Sequence, residues 1–522
     1  MSRLIVLSNR VKVPDNKPMA GGLAVALQNV LIGNSVVWMG WNGKVVESRD
    51  NTNGPTASFT SQSASLTGEG TCITYMTTAL STKQYNQFYC GFANNVLWPL
   101  LHERTDLISQ SPRDYAGYQD VNRLFAKQLK KIIEPDDVIW VHDYHFLSVA
   151  YHCRQLGITN RIGFFLHIPF ASLRFWQSLS QSSEVIHHLA HYDLLGTQTQ
   201  QDRTHCLNVL QYYLKDHFIH DQLVASAPIN VLDMKRNFAQ PYTSARAKMT
   251  LDLALKPQHT LVVDAYPIGV NVTQIQEQVS HLPLEFSLGS TNSNQNREHT
   301  FQQIIAVDRI DYSKGLLRRF AAYRDFLAQN PSYQSHLQLL QVACPSRLDL
   351  PTYQSLYDEV KKEVYDINQH YLSDDSAWQA INYSETALSH GKLMTMFWQS
   401  DVGWVNSLKD GMNLVAKEYI AAQNPDNPGV LLLSRYAGAA EQMKAAVIIN
   451  PHQPRSMIEG LKTALTMPLE ERQSRYRSLL QGLQKDNLHI WQQSFLDDLY
   501  NESSSQISSM EPANIQMSDS QG

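Results

Sequence analysis

Short, unbroken apolar runs recur along this chain, and each is followed by a polar turn and then a helix-spaced pattern. The run 4–7 ends in Ser8-Asn9-Arg10, the run 138–141 enters His142-Asp143-Tyr144-His145, and the run 162–166 enters His167-Ile168-Pro169. A further run, 261–265, ends at Pro267-Ile268-Gly269. Beyond residue 300 the rhythm restarts. Run 304–307 enters Asp308-Arg309-Ile310-Asp311-Tyr312-Ser313-Lys314-Gly315, run 337–342 enters Pro345-Ser346-Arg347, and run 402–405 enters a turn with Lys409, Asp410 and Gly411. Run 430–433 meets Tyr436-Ala437-Gly438, and 447–449 is the last short strand. Runs without alternation predict strands buried on both faces, as in a parallel sheet. The spacing between them predicts helices over 118–133, 146–156, 350–369, 389–399 and 454–500, with helical spacing also continuing to about 224. Strand-then-helix repetition in both halves predicts an α/β fold.

Polar stretches mark the joints. Residues 48–70 read as a surface excursion between edge strands, and 286–299 as a linker or loop. A domain boundary therefore falls within roughly 268–300. The tail from Asn501, rich in Ser, Gln and Met, reads as disordered.

Composition narrows the class. A chain of 522 residues is too long for one ordinary core and predicts two domains. With 43% hydrophobic and 17% charged residues it resembles a soluble globular enzyme. A net charge of −5 offers no basic field for nucleic acid, and pairs such as Arg318-Arg319 read as solvated helix faces. No apolar run is long enough to span a membrane. The start MSRLIVLSNR lacks a signal-peptide core. Five widely spaced cysteines without a Cys-x-x-Cys pair predict reduced thiols and a cytoplasmic location.

The candidate chemistry collects at the strand ends. In a doubly wound sheet those ends face ligands. The stretch 401–418 reads as strand, tight polar turn and helix, an arrangement that holds anions at a helix N-terminus; an ordinary solvated crossover turn is the competing reading. Gly411 would let a ligand approach the backbone. Gly21-Gly22, after a polar loop and before an apolar helix, form a candidate phosphate or sugar turn that matches neither a dinucleotide fingerprint nor a P-loop. The aromatic stretch 85–98 suits either core or sugar binding. Arg309 and Lys314 lie in one turn and could clamp a diphosphate, while Arg10 and Arg347, from different halves, could take a second anion; surface salt bridges are the alternative for each. No Asp-x-Asp motif offers a manganese or magnesium site, which fits a metal-free design.

The motifs SNR at 8–10, GGLAVAL at 21–27, VLWP at 96–99, VHDYH at 141–145, GFFLHIPF at 163–170, RIDYSKG at 309–315 and DGMNLVAKEY at 410–419 together resemble the trehalose-6-phosphate synthases. The resemblance runs from residue 2 to about 500. It implies two facing Rossmann-like domains, the GT-B arrangement, with the active site in the cleft between them. It implies an acceptor domain over 1–268, a nucleotide-sugar domain over 269–465, helices over 466–500 returning to the first domain, and a tail over 501–522. The implied reaction moves glucose from UDP-glucose to glucose 6-phosphate with retention, without metal or cofactor, in trehalose biosynthesis and osmotic stress. A homo-oligomer, dimer or tetramer, is compatible with it.

The resemblance further implies that Arg10, Tyr89, Asp143 and Arg347 hold glucose 6-phosphate, with Trp98 bordering it. Gly21 and Gly22 would approach the donor and His167 would contact its sugar. Arg309 and Lys314 would clamp the diphosphate. Asp410 with the Gly411, Met412 and Asn413 backbone would bind donor hydroxyls and phosphate. Leu414, Val415, Ala416, Lys417 and Glu418 would line the nucleotide, with Glu418 on the ribose. Catalysis would rest on His167, Arg309, Lys314 and Asp410 through positioning and electrostatics, with the leaving phosphate accepting the acceptor's proton. The chain departs from the family pattern at Ala171-Ser172-Leu173-Arg174, Thr197, Leu388, Asn406-Ser407 and Cys90. Two other readings stand beside it: a related synthase using an acceptor such as glycerol 3-phosphate, and a non-catalytic subunit that binds sugar phosphate.

Overall fold

The computed structural model describes residues 3–13, 36–47, 60–65, 72–219, 246–280, 302–372 and 378–507. Gly21-Gly22 with the helix expected after them, most of the 48–70 excursion and the polar stretch 286–299 lie outside the described residues.

A nine-stranded sheet forms the first half, in the order β3-β4-β2-β1-β5-β6-β7-β9-β8. Its strands are β1 (Leu4–Arg10), β2 (Val36–Val46), β3 (Thr60–Ser65), β4 (Cys72–Ser81), β5 (Val138–His142), β6 (Ile162–Phe165), β7 (Leu194–Thr197), β8 (Ala247–Leu253) and β9 (Lys256–Ala265). All pairings are parallel except the two edges, β3 with β4 and β8 with β9. The second half is a six-stranded, wholly parallel sheet in the order β12-β11-β10-β13-β14-β15. It comprises β10 (Gln302–Arg309), β11 (Leu337–Cys344), β12 (Ile381–Ser384), β13 (Val402–Val405), β14 (Val430–Ser434) and β15 (Val447–Ile449). Chain order reverses between β1 and β5 in one sheet and between β10 and β13 in the other, and the crevice at such a reversal is where α/β sheets bind ligands.

Several expectations change. Helical spacing up to about 224 conceals β7, a fully buried central strand. β12, an edge strand of alternating pattern, and the β8 edge hairpin were not anticipated. The edge strand β3 lies within the expected surface excursion. Arg319 is no solvated face: it is wholly buried, its guanidinium 2.6 Å from Asp308 and 2.7 Å from Gln341. The last helix continues past Asn501 to Ile507, so that part of the expected tail is helical backbone.

That helix, Leu488–Ile507, lies beneath the first sheet. Phe495 stacks on Trp140 at 4.9 Å and meets Phe165 at 5.8 Å, while Trp491 lies 5.3 Å from Trp140. Two glycines allow the approach: a Cβ on Gly196 would stand 2.8 Å from Phe495, and one on Gly163 3.0 Å from Leu499. No helix among the described residues is long and apolar enough to cross a membrane.

Candidate active site

The two reversals face each other. β1 delivers Arg10 and β5 delivers His142 and Asp143, while the turn after β10 carries Lys314 and the turn after β13 carries Asp410. Backbone strain collects here. Asp143 has φ 75° and ψ 164°, a region almost reserved for glycine, and Arg347 and Asn413 have φ of 53° and 75°. Such conformations cost about 1–3 kcal/mol each and persist only where the surroundings enforce them.

The residues expected to hold the acceptor are assembled by an unusual element. Residues Tyr85–Leu97 form a π-helix, a wide turn that recurs at functional sites. Its inner face buries Phe88, Phe92, Val96 and Leu97, and its outer face shows Tyr85 and Tyr89, stacked at 5.4 Å. The aromatic stretch thus serves as core and as cleft wall together. Arg10 lies over Trp41, Trp41 meets Tyr89, and Tyr89 lies parallel to His145 at 6.0 Å. Tyr144 continues this wall at 4.0 Å from His145 and accepts a 3.2 Å hydrogen bond from Arg347 Nη2. Arg10 and Arg347 therefore stand at opposite ends of one aromatic wall.

Arg347 is tightly held. Its Nη1 donates to Tyr353 at 2.6 Å and to Asp311 at 3.2 Å, and its guanidinium lies 3.8 Å over the Trp98 ring. Arg309 approaches the same indole at 5.7 Å, is exposed, and makes no hydrogen bond or ion pair among the described residues. Burial would raise the fully buried Asp311, but Arg347, Arg309 and His102 outweigh it and hold the carboxyl down at about 2. Trp98 itself is buried, with its Nε1 unpaired. Asp143 has a buried, unpaired Oδ1, and desolvation lifts its carboxyl to about 6 against the pull of Arg347 and Arg309.

Among the residues expected at the donor, Lys314 Nζ meets Asp410 Oδ2 at 2.5 Å. The same oxygen accepts from Ser407 Oγ at 2.9 Å and Asn413 Nδ2 at 3.0 Å. Desolvation works against ionisation of Asp410, but Lys314 and Asn413 keep its carboxyl below its ordinary value. The departure Asn406-Ser407 is built into this cluster: Asn406 Nδ2 donates to Gly315 O at 2.9 Å, and Ser407 braces Asp410. Asn413 caps the helix Leu414–Ala421, its Oδ1 accepting from Ala416 N, so one terminal N–H is already used.

The donor-side turn and helix differ in detail from expectation. The missing side chain of Gly411 admits the other half of the molecule: a Cβ there would stand 2.2 Å from His167 O. Lys417 does not line the cleft with its side chain; it is fully buried, and its ammonium donates to Ile268 O and Gln442 Oε1, each at 2.7 Å. Ala416 is a core residue, as is the side chain of Met412, whose backbone alone was expected at the donor. Leu414 and Val415 are half-buried, and Glu418 lies 3.8 Å from His390. Of the other departures, Ala171 is buried core, Ser172 precedes a short helix, Leu388 is half-buried and Cys90 is a free thiol.

Contacts across the cleft close it. Besides Arg347–Tyr144, Tyr85 OH donates to Asp349 at 2.7 Å, Lys409 pairs with Glu103 at 3.3 Å, and Gln200 N donates to Glu441 at 2.9 Å. The contacts of Asp311, Tyr144 and Ser407 were missed in the sequence, although each sits within or beside a recognised motif. Among the described residues no cluster of three or more His, Cys, Asp or Glu side chains is arranged to hold a metal ion.

Comparison with known proteins agrees with this geometry. The family model described as glycosyltransferase family 20 matches residues 5–501. The trehalose-6-phosphate synthase of Sodalis glossinidius is 37% identical over 501 residues, 96% of each chain, and that of Cronobacter sakazakii is 37% identical over 500 residues, covering 96% of this chain and 95% of the relative. An α,α-trehalose-phosphate synthase (UDP-forming) from Burkholderia xenovorans, solved with glucose 6-phosphate, superposes with a TM-score of 0.80 at 35% identity, covering 96% of this chain and all of the other. An Escherichia coli structure bound with UDP-2-fluoro glucose gives 0.80 at 34% identity over 95% of this chain and 99% of the other. The architecture shared with these structures is two facing Rossmann-like domains, the GT-B arrangement. The chain belongs to glycosyltransferase family 20.

Proposed function

We propose that this chain transfers glucose from UDP-glucose to glucose 6-phosphate with retention, forming α,α-trehalose 6-phosphate and UDP. The observation that carries this reading is the convergence of Arg309 and Arg347 on one indole, Trp98, at 5.7 and 3.8 Å. Two cations from the second half thereby stand beside the acceptor wall of the first. One suits a leaving diphosphate and the other an acceptor phosphate. Family membership and the ligands named for the related structures support the same pairing.

In this reading Arg10, Tyr89, Trp98, Asp143 and Arg347 hold the acceptor. Arg309 and Lys314 stabilise charge on the leaving diphosphate. Asp410 positions Lys314 and, with the Gly411-Met412-Asn413 backbone, meets the donor. His167 contacts the donor sugar, and Glu418 with its preceding turn lies along the nucleotide; a donor role for Gly21-Gly22, outside the described residues, rests on the family motif alone. The departing UDP oxygen accepts the acceptor's proton on the face it leaves, so the enzyme supplies position and field. The domain over 1–268 serves the acceptor and that over 269–465 the donor, the reaction needs no metal, and the protein works in the cytoplasm.

The test is a donor and acceptor panel read by nucleotide release. UDP should appear with UDP-glucose and glucose 6-phosphate together. Release with glycerol 3-phosphate but not glucose 6-phosphate would replace this acceptor. Binding of glucose 6-phosphate without nucleotide release from any pair would point to a regulatory subunit.

A further inference from the structure

Behind His167, on the side away from the cleft, lies a second imidazole. His142, the last residue of β5, is completely buried, and its Nδ1 lies 3.0 Å from His167 Nε2. The rings are 5.2 Å apart and inclined by 28°. His142 Nε2 is buried with no hydrogen-bond partner. Around the pair stand Trp140, 4.5 Å from His142, with Phe165 and Trp491 at 4.7 and 6.2 Å from His167. An indole offers only an N–H donor, and those of Trp140 and Trp491 are themselves buried and unpaired. Desolvation keeps both imidazoles neutral, holding His167 down at about 3 and His142 well below its ordinary value. Each ring therefore carries one proton.

Two arrangements satisfy the 3.0 Å contact. In the first, His142 Nδ1–H donates to His167 Nε2, which leaves a bare lone pair on His142 Nε2 and places the His167 proton on Nδ1. In the second, His167 Nε2–H donates to His142 Nδ1, which leaves a buried N–H on His142 Nε2. An orphaned buried N–H is somewhat rarer than an under-satisfied acceptor, and the indoles beside the pair supply donors but no acceptor, so their surroundings suit a bare lone pair on His142 Nε2 better than an N–H. The first arrangement is the favoured one. His167 Nδ1 makes no hydrogen bond among the described residues and is not among the buried unpaired atoms, so it is the nitrogen left to the open side.

We propose that His142 is a positioning residue that fixes His167 as its Nδ1–H tautomer, so that His167 offers the cleft a hydrogen-bond donor and cannot act there as a base. The group it recognises is an oxygen bearing a lone pair, a sugar hydroxyl or a phosphoryl oxygen. This rests on the reading of the cleft as the donor-sugar site. It accounts for a histidine buried beneath the cleft with half of its hydrogen-bonding capacity unused.

The test is long-range ¹H–¹⁵N NMR of the full chain labelled at histidine nitrogen, with His167 assigned by comparison with His167→Gln. The expected result is a protonated Nδ1 and a bare Nε2 on His167. A protonated Nε2 with a bare Nδ1, or a doubly protonated ring at neutral pH, overturns the proposal. His142→Asn, which keeps an N–H near the Nδ1 position, should preserve the tautomer and the KM for UDP-glucose. His142→Leu should give mixed tautomers and raise that KM about tenfold, the worth of one hydrogen bond, with a smaller effect on kcat. An unchanged tautomer and KM in His142→Leu would also overturn it. The spectrum needs no turnover, so it decides the point even if the leucine variant does not fold or the transfer reaction proves to be another.

Discussion

Arg309 is exposed and without an ion pair among the described residues, whereas Arg347 is bound on three sides, by Asp311, Tyr353 and Tyr144. Their roles should separate accordingly. Arg309→Ala should lower kcat by about 10²–10³, the usual loss of one transition-state charge stabiliser, while the melting temperature stays unchanged. Turnover within a few-fold of the parent would remove Arg309 from the leaving-group site. Asp143 supplies a pH signature. Desolvation lifts its carboxyl to about 6, so the carboxylate proposed to accept hydrogen bonds from sugar hydroxyls is present above that pH and is lost below it. The kcat/KM for glucose 6-phosphate should therefore fall as pH drops through about 6, and Asp143→Asn should remove this limb while weakening the acceptor at every pH. These residues were legible because each stands at a strand end within a recognisable motif. The groups that hold them were not: Asp311 reaches Arg347 across 36 positions of chain and Tyr144 reaches it across 203, distances that no local pattern records.

At the scale of the element, the turn-and-helix stretch 401–421 carries the sharpest difference between expectation and structure. Its strand, turn and helix were readable from hydrophobic spacing, but the direction of Lys417 was not. The lysine follows three residues assigned to the nucleotide, yet its ammonium is buried against Ile268 O at the crossover between the halves. Desolvation holds it down at about 7 from an ordinary 10.5, with Asp486 opposing. Between those values the unfolded chain binds the extra proton, so stability should rise with pH from about 7 towards 10 and gain nothing below 7. Denaturant unfolding at several pH values should show that rise in the parent and not in Lys417→Met. A rise of equal size in both would place its origin elsewhere. β7 and β12 escaped notice for a related reason. Leu194-Leu195-Gly196-Thr197 is a short run set between helices, and its burial comes from neighbouring strands and from the C-terminal helix. Ile381-Asn382-Tyr383-Ser384 has one apolar face and lies at an edge.

Across the whole molecule, the last helix returns to the first sheet, so each half depends on the other. Phe495 is fully buried against Trp140 and Phe165 of the first sheet. Phe495→Ala should destabilise the protein by about 3–5 kcal/mol, as large-to-small changes in a core do, and thermal unfolding of the variant reads this directly. A loss below about 1 kcal/mol would mean that the helix is not integral to the fold. The same closure brings Gly411 against His167 and places the arginines of one half on the tryptophan of the other. Two doubly wound sheets were predictable from the repeated strand-helix rhythm, and their facing arrangement from family resemblance. The contacts that lock them together depend on side chains far apart in sequence. The central claim, glucosyl transfer with retention across this closed cleft, is tested most directly by one-dimensional ¹H NMR of the purified protein with UDP-glucose and glucose 6-phosphate. The account predicts equal amounts of UDP and a non-reducing disaccharide phosphate with both anomeric centres α. A β-linked product, or nucleotide released without any disaccharide, would contradict it.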